Sequence, residues 1–338
     1  MQQPMETSST PVTMSAIQQV RYGNSQVLTL EQIPVPAPRA HEVLVEVAAA
    51  GVDRAVWHLM TGKPYIARLA LGLRRPRQRT PGRELSGRVV ACGAKVTSFA
   101  VGDEVFGFGI GTYARFARAR VKKVTRRVAA LDPVIAASLP ISGTTALQVV
   151  RDIAKIRPGQ RVLVIGASGG VGILAVQLAR HYGAEVSGVC SAAKSDLVLA
   201  NGAAETIDYA SDWIAEHAGR FDAVIDIAGN RTIRDVRRLL VRSGTLVIVG
   251  GEDGGDLMGG IQRQIVGSML GRFRRPRISM IVATEGADDI ADLGRLVIDG
   301  RLDVPIDRTY PLAQVADALG NLEAGHVRGK VAITVGPT

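Results

Sequence analysis

The feature that most constrains this chain is a glycine-rich turn that follows an apolar run and precedes an amphipathic segment. The apolar run is 161–165, and the segment after the turn carries apolar residues with the spacing of one helix face. This pattern predicts a buried strand, a tight turn and a helix, in which backbone amides can approach a pyrophosphate at the helix N-terminus. The alternative is a strand-to-helix turn without a ligand. The turn predicts dinucleotide contacts from Ala167, Ser168, Gly169, Gly170 and Val171.

The rest of the chain divides into two patterns. Up to about residue 125, short alternating runs are separated by proline and glycine clusters, which is typical of a small barrel-like domain. After Asp132-Pro133, apolar runs alternate with amphipathic ones, which is typical of a doubly wound parallel sheet. From about Leu302 short strands return, and we expect them to rejoin the first domain. The predicted elements of the alternating part are 161–165, 171–182, 185–190, 195–201, 206–209, 221–227, 231–241 and 245–250.

The end of the second strand in this part favours NADPH over NADH. Enzymes that bind NAD usually carry an acidic residue about 20 residues after the glycines, where it binds the ribose hydroxyls. Residues 190–194 read Cys-Ser-Ala-Ala-Lys and contain no acid. Ser191 and Lys194 could therefore hold a 2′-phosphate through a hydroxyl and an ammonium group. The alternatives are a serine that caps a helix and an ordinary exposed lysine.

The net charge of +10 comes mainly from arginine, which is concentrated in 68–83, 115–127 and 272–277. One interpretation is a surface for nucleic acid or an anionic membrane, and the other is an arginine-biased composition. Aromatic residues make up only 4% of the chain, and base-stacking sites need aromatic faces. We therefore favour the second interpretation, with a small-molecule substrate and no nucleic-acid partner.

Other features of the composition indicate a cytoplasmic protein. The sequence contains no apolar run long enough to span a membrane. Its two cysteines, Cys92 and Cys190, argue against a disulfide framework and fit a reducing compartment. Residues 1–13 do not have the pattern of a secretory signal, and we expect them to form a flexible tail.

Motifs along nearly the whole chain resemble those of the medium-chain dehydrogenases/reductases, and in particular of their quinone reductase branch. Residues 167–172 are similar to the loop of that branch, in which alanine replaces the first glycine of the alcohol dehydrogenases. The segment PGRELSG at 81–87 resembles the family's Pro-Gly-His-Glu segment, and 102–105 resembles its Gly-Asp-x-Val strand. Residues 207–209 and 325–331 are similar to the family's segment after the second crossover and to its closing strand.

The resemblance implies an α/β protein in which a GroES-like β-barrel catalytic domain contains an inserted Rossmann domain with a doubly wound parallel sheet. The implied catalytic domain comprises 14–140 and 302–338, and the NADPH-binding Rossmann domain comprises 141–301. The active site would lie in the cleft between them, and homodimers would form through the Rossmann sheet. Tyr209 would pack beside the adenosine 2′-phosphate. Further implied cofactor contacts are Thr144, Asn230, Gly250 and Lys330.

The chain departs from the zinc-dependent members of this family at their catalytic ligands. The cysteine is replaced by Asp53 and the histidine by Arg83, and the third ligand position falls near Pro140. Arginine has no lone pair to donate and proline has no side-chain donor, so one carboxylate remains, which cannot hold zinc. The cysteines of the family's structural-zinc lobe are also missing. The sequence therefore predicts a zinc-independent enzyme without a metal site.

The loss of zinc favours conjugated acceptors. Reduction of a saturated aldehyde puts negative charge on one oxygen, which zinc stabilises, whereas hydride addition to a quinone or enone spreads the charge. We therefore expect NADPH-dependent hydride transfer to a quinone or an α,β-unsaturated carbonyl. The alternatives are a zinc-free alcohol or aldehyde reductase and a non-catalytic NADPH-binding protein whose basic surface binds nucleic acid or a protein partner.

Asp53, His58 and Tyr65 are the candidate catalytic residues. Asp53 could bind the nicotinamide ribose, or it could form a buried ion pair with Arg83. His58 lies where zinc dehydrogenases of the family often carry a proton-relay histidine, and its alternative is packing beside Trp57. Tyr65 could donate a proton to a flat substrate or stack on it, and its alternative is packing within its own loop.

Overall fold

Three β-sheets and ten α-helices make up the computed structural model, which describes residues 12–250 and 276–336. The predicted flexible tail lies outside these ranges up to residue 11, and Thr13 begins the first strand. The strands are β1 (Thr13–Gln19), β2 (Leu28–Pro34), β3 (Glu42–Val52), β4 (Glu84–Cys92), β5 (Glu104–Phe108), β6 (Phe116–Arg120), β7 (Val124–Arg126), β8 (Arg161–Ile165), β9 (Glu185–Cys190), β10 (Glu205–Asp208), β11 (Phe221–Asp226), β12 (Leu240–Ile248), β13 (Arg277–Met280), β14 (Ile306–Pro311) and β15 (Lys330–Thr334). The helices are α1 (Arg54–Thr61), α2 (Arg68–Leu71), α3 (Pro133–Ala137), α4 (Pro140–Gln148), α5 (Gly170–His181), α6 (Ser195–Ala200), α7 (Trp213–Glu216), α8 (Ile233–Arg238), α9 (Ala287–Ile298) and α10 (Val315–Glu323).

The alternating part of the chain forms a six-stranded parallel sheet in the order β10-β9-β8-β11-β12-β13. Alternate residues of β8 enter different cores: Val162 and Val164 pack in one, and Leu163 and Ile165 in the other. A strand that is buried on both faces has no polar side, which is why its sequence is continuously apolar. The structure confirms the predicted doubly wound parallel sheet.

Strand β12 differs from its predicted bounds. The sequence predicts a helical segment over 231–241 and a strand from 245, but the helix ends at Arg238 and the strand begins at Leu240. The carbonyl of Leu239 accepts hydrogen bonds from the amides of Arg220 and Phe221. This pairing with β11, which includes an irregularity after Phe221, starts the strand early. Such cross-strand pairing is not visible in the local pattern.

The barrel-like part is a sheet in the order β14-β15-β3-β4-β5-β7, with β6 also paired to β3. Strand β15 is antiparallel to β3 and parallel to β14, so the end of the chain rejoins the first part, as expected. Its residues Val331 and Ile333 enter the same core as Val45 and Leu85. None of the helices within the described ranges is both long enough and apolar enough to cross a bilayer.

Two contacts join the sheets where the functional cleft lies. The amide of Gly329, just before β15, donates to the carbonyl of Ser168 at 3.1 Å, and Gly329 forms a parallel bridge with Gly169. The amide of Ile141, in the first turn of α4, donates to Glu84 Oε1 at 2.6 Å. The glycine turn is therefore held directly against the closing strand.

Candidate functional site

The glycine turn has the backbone geometry of a dinucleotide loop. Gly166 has a φ of +85°, which favours glycine, and Gly169 precedes the first residue of α5 with extended φ and ψ. A Cβ on Gly172 would lie 2.1 Å from the Gly166 carbonyl oxygen, so glycine allows α5 to approach the turn closely. A Cβ on Gly169 would meet only one atom, at 3.7 Å. The backbone at Gly169 is therefore open to a ligand, and the amides at the helix N-terminus suit a phosphate.

A cleft of about 280 Å³ opens beside this turn, between the parallel sheet and the barrel. Six of the predicted cofactor residues line it, together with Asp53 and Ser142. The six are Ser168, Gly169, Gly170, Val171, Lys194 and Lys330.

A second cavity, of about 590 Å³, continues from Ser168 and Lys194 along the carboxyl ends of β9 and β10. The carboxyl end of parallel strands is where doubly wound folds bind their ligands. The cavity includes three more predicted residues and three basic residues that the sequence reasoning missed. The predicted ones are Ser191, Tyr209 and Asn230, and the missed ones are Arg231, His326 and Arg328.

The basic groups around the second cavity are held in place. Lys194 Nζ donates to the carbonyls of Gly325 and Val327, each at 2.8 Å, and burial followed by the nearby Arg328 lowers its pKa. Arg328 binds both carboxylate oxygens of Asp196, and Arg231 donates to the Tyr209 carbonyl at 2.9 Å. No carboxylate is among the described residues that line the cavity. The second cavity therefore presents net positive charge to a ligand, and we call it the cation-lined cavity.

The structure argues against the alternative role of each residue, which was a helix cap for Ser191 and an ordinary exposed lysine for Lys194. Lys194 is half-buried and joins the parallel sheet to the closing segment, so it is not an ordinary exposed lysine. Ser191 precedes a short turn, but its side chain makes no capping hydrogen bond. Arg231 directly follows the predicted Asn230, and Arg328 lies in the closing motif, so both were near a recognised signal. Nothing local indicated that they face the same cavity as Lys194.

Three other predicted cofactor residues line neither the cleft nor the second cavity. Ala167 is fully buried, and its amide donates to the Val189 carbonyl. The hydroxyl of the buried Thr144 donates to the carbonyl of Pro140, one turn earlier in α4. Gly250 lies two residues after β12, and a Cβ there would lie 2.3 Å from the Ile227 carbonyl oxygen. Its predicted neighbour in the turn, residue 251, lies outside the described residues.

A buried polar cluster forms the floor of the cleft. Lys330 is 2% exposed, and its Nζ lies 3.1 Å from Ser142 Oγ and 3.4 Å from Glu84 Oε2. Glu84 is fully buried, and burial raises its pKa to about 8; the Lys330 ammonium opposes the rise and the nearby Asp53 carboxylate adds to it. The cluster therefore holds a carboxyl group that stays largely protonated at neutral pH.

Replacing Glu84 by glutamine should remove a pH dependence of stability. Glu84 titrates near 4.5 when unfolded and near 8 when folded, so the folded protein retains a proton that the unfolded chain releases between these values. Its contribution to the free energy of unfolding is therefore highest below pH 4.5 and falls as the pH rises to about 8. Urea unfolding of wild type and Glu84→Gln at successive pH values should show the variant gaining relative stability across this range. A constant difference would contradict a buried, protonated Glu84.

Asp53 does not pair with Arg83, so that predicted ion pair is wrong. Asp53 Oδ1 accepts from the amides of Ala55 and Val56 at the start of α1, and the protonated Glu84 carboxyl is within hydrogen-bonding reach of the Asp53 carboxylate. Arg83 instead binds Glu285. Successive residues of an extended segment point to opposite sides, so Arg83 faces away from the side on which Glu84 meets Lys330. Asp53 lines the cleft and Arg83 does not.

His58 and Tyr65 lie outside the residues that line the cleft and the cation-lined cavity. His58 Nδ1 lies 3.0 Å from the Lys63 carbonyl, and its ring meets Trp57 edge to face with centroids 5.0 Å apart. The Arg68 guanidinium lies over the Tyr65 ring, 4.5 Å from its centroid. These contacts agree with the packing alternatives, and the catalytic roles stay predictions.

The residues at the zinc-ligand positions do not fit zinc. One oxygen of Asp53 caps α1, the Arg83 guanidinium binds Glu285, and Pro140 begins α4. Nowhere in 12–250 or 276–336 do three or more histidine, cysteine, aspartate or glutamate side chains come together as metal ligands. By contrast, the open turn and the cation-lined cavity fit a phosphorylated dinucleotide.

Comparison with known proteins agrees with this geometry. One matching family model is described as an alcohol dehydrogenase GroES-like domain, over residues 39–129, and another as a zinc-binding dehydrogenase, over residues 201–333. The chain is 34% identical over 247 residues to the quinone oxidoreductase of Rattus norvegicus, which covers 70% of this chain and 73% of that protein.

Solved structures match over nearly the whole length. The quinone oxidoreductase from Coxiella burnetii superposes with a TM-score of 0.84 at 29% identity, covering 96% of this chain and all of that one. A mycobacterial protein complexed with NADPH superposes with a TM-score of 0.79 at 25% identity, covering 95% of this chain and all of that one. Both matches span the barrel-like part and the parallel sheet, which together form the cleft.

Proposed function

This chain belongs to the medium-chain dehydrogenase/reductase family of oxidoreductases, in its quinone oxidoreductase-like branch, and we propose that it uses NADPH to reduce a quinone or an α,β-unsaturated carbonyl without zinc. The observation that carries the proposal is a dinucleotide turn that opens on a cleft, in a chain whose residues at the zinc-ligand positions make other contacts. Asp53 caps helix α1, and Arg83 binds Glu285.

The cation-lined cavity supports NADPH rather than NADH. Lys194, Arg231 and Arg328 line it, and among the described residues no carboxylate lines it to repel a 2′-phosphate. A charge-assisted hydrogen bond to such a phosphate is worth roughly 1.5–3 kcal/mol, or about 10-fold to 150-fold in affinity. The NADPH complex of the mycobacterial structural relative agrees with this choice.

The cleft suits an acceptor that spreads its negative charge. NADPH, when bound, supplies a hydride, and a conjugated acceptor delocalises the resulting charge over several atoms, so no metal is needed to stabilise one oxygen. Asp53 lines the cleft beside the glycine turn, and we assign its carboxylate to a hydroxyl of the nicotinamide ribose. Lys330 and Glu84 hold the floor of the cleft against the glycine turn.

The state of the cysteines supports a reducing compartment. Cys92 and Cys190 are both free thiols, and burial raises the pKa of each, so neither is an activated thiolate. Free, unreactive thiols fit the cytoplasm, which we propose as the location.

The test is anaerobic oxidation of NADPH by EDTA-treated protein with a benzoquinone, a 2-alkenal and a saturated aldehyde of equal length. We expect turnover of at least one conjugated acceptor, faster with NADPH than with NADH, and none of the saturated aldehyde. EDTA should have no effect on the rate. Turnover of the saturated aldehyde would contradict the restriction to conjugated acceptors, and a rate restored only by zinc would contradict the metal-free proposal.

A further inference from the structure

A third cavity, of about 390 Å³, shares no lining residue with the cleft or with the cation-lined cavity. It lies between the loop that follows α1, the turn after β5 and Glu285. Arg83 lines it, while the next residue, Glu84, contacts Lys330 on the floor of the cleft. The third cavity and the cleft therefore lie on the two sides of the start of β4, and the residues that face them are adjacent in sequence. We call this third space the basic cavity.

Four cationic side chains converge on the basic cavity from distant parts of the chain, and one acid accompanies them. Glu285 binds both Arg83 and Lys123, so its two oxygens are already used. The other cations are Arg77 and Arg120. Arg77 donates to the Ala70 carbonyl, and no carboxylate in 12–250 or 276–336 forms an ion pair with either guanidinium. The basic cavity therefore has two positive charges that no described acid balances.

The remaining walls of the basic cavity are mostly apolar. They combine apolar side chains with three uncharged polar ones. The apolar residues are Leu59, Ala70, Leu71, Pro76, Pro81, Phe108 and Ile110, and the polar ones are Gln19, Gln78 and Thr80. Apolar walls with a few charged groups are typical of a small-molecule site.

We infer that the basic cavity binds a carboxylate or phosphate carried by the acceptor, so that the substrate is an acidic α,β-unsaturated carbonyl compound rather than a neutral quinone. This inference rests on the proposed function, because it assigns the cavity to the substrate of the same cleft. Guanidinium groups form charge-assisted, often bidentate hydrogen bonds to both kinds of anion. Loss of one such contact should weaken binding roughly 10-fold to 150-fold.

The test compares matched acceptors at saturating NADPH. One pair is crotonyl-coenzyme A and the uncharged crotonyl-N-acetylcysteamine, and the other is an enone with a remote terminal carboxylate and its methyl ester. The proteins are wild type, Arg77→Gln, Arg120→Gln and the control Arg88→Gln, which changes an exposed arginine outside all three cavities. We expect wild type to prefer the anionic member of at least one pair. Arg77→Gln and Arg120→Gln should raise KM for that member roughly 10-fold to 150-fold with little change in kcat.

If the arginine substitutions raise KM for crotonyl-coenzyme A, the anion is a phosphate; if they raise KM for the enone with the terminal carboxylate, it is a carboxylate. Equal kcat/KM for charged and uncharged acceptors in all four proteins would overturn the inference while leaving the proposed function intact.

If no conjugated acceptor, including a benzoquinone, is turned over, the proposed function fails, and the basic cavity is then tested by binding. Calorimetric titration of NADP⁺-saturated protein with butyryl-coenzyme A and with the saturated carboxylate would support the basic cavity if either binds wild type more tightly than Arg120→Gln. Absence of binding to wild type would overturn it.

Discussion

Replacement of Gly172 by valine should leave little folded protein, whereas Gly169→Ala should fold and lose most of its affinity for NADPH. A Cβ on Gly172 would lie 2.1 Å from the Gly166 carbonyl oxygen and 2.9 Å from backbone atoms of Ala167. Backbone atoms of a tight turn cannot move aside as a flexible side chain can. We expect the free energy of unfolding to fall by at least about 3 kcal/mol, the upper part of the usual range for an overpacked core.

Gly169 separates the folding role of the turn from its binding role. A Cβ there meets one atom, at 3.7 Å, so alanine should change stability by no more than about 1 kcal/mol, through its weaker N-capping. The methyl group would occupy the space of the pyrophosphate and weaken NADPH roughly 10-fold to 150-fold. Urea unfolding and a fluorescence titration with NADPH measure the two effects. Gly286→Ala is the control, since nothing lies within 4 Å of a Cβ at that position. A Gly172→Val protein as stable as this control would refute the steric argument.

Lys330→Ala should lower the free energy of unfolding by about 2–5 kcal/mol, the range for truncating a large buried side chain to alanine. The ammonium lies among Ser142, Glu84 and the Val52 carbonyl, and the side chain is 2% exposed. Its methylene chain also supports the glycine turn, because a Cβ on Gly170 would lie 2.8 Å from Lys330 Cδ. The substitution therefore removes both the cation and the packing under the turn.

A double-mutant cycle separates these two effects. At about pH 9, above the Glu84 pKa, Lys330→Met should cost markedly less in the Glu84→Gln background than in wild type, because the glutamine leaves no buried carboxylate without its cation and the methionine restores most of the packing. Urea unfolding of the four proteins gives the coupling energy. Lys95→Ala, on an exposed lysine, should change stability by no more than about 0.5 kcal/mol. Equal costs of Lys330→Met in both backgrounds would show that Glu84 and Lys330 are not coupled.

Local sequence was sufficient for the parallel sheet and its glycine turn. Strands β8 and β9 have the bounds that the apolar runs predict, because strands buried on both faces must be apolar throughout and end where polar or glycine residues begin. The loop residues 168–171 line the cleft because the strand, turn and helix that position them are adjacent in sequence. Strand β12 was predicted less well, since its start depends on pairing with β11.

The chain by itself therefore determined the fold class, the dinucleotide turn and the loss of zinc ligands, since each depends on residue type and short-range spacing. Only the tertiary structure decided the partners of its charged residues. Arg83 binds Glu285 rather than Asp53, and Glu84 meets Lys330 across 246 residues of sequence. Arg328 reaches the cavity of Lys194 from the far end of the chain. Long side chains can reach several neighbours, so their partners depend on which distant strands the sheets bring together, and periodicity within one segment carries no information about that.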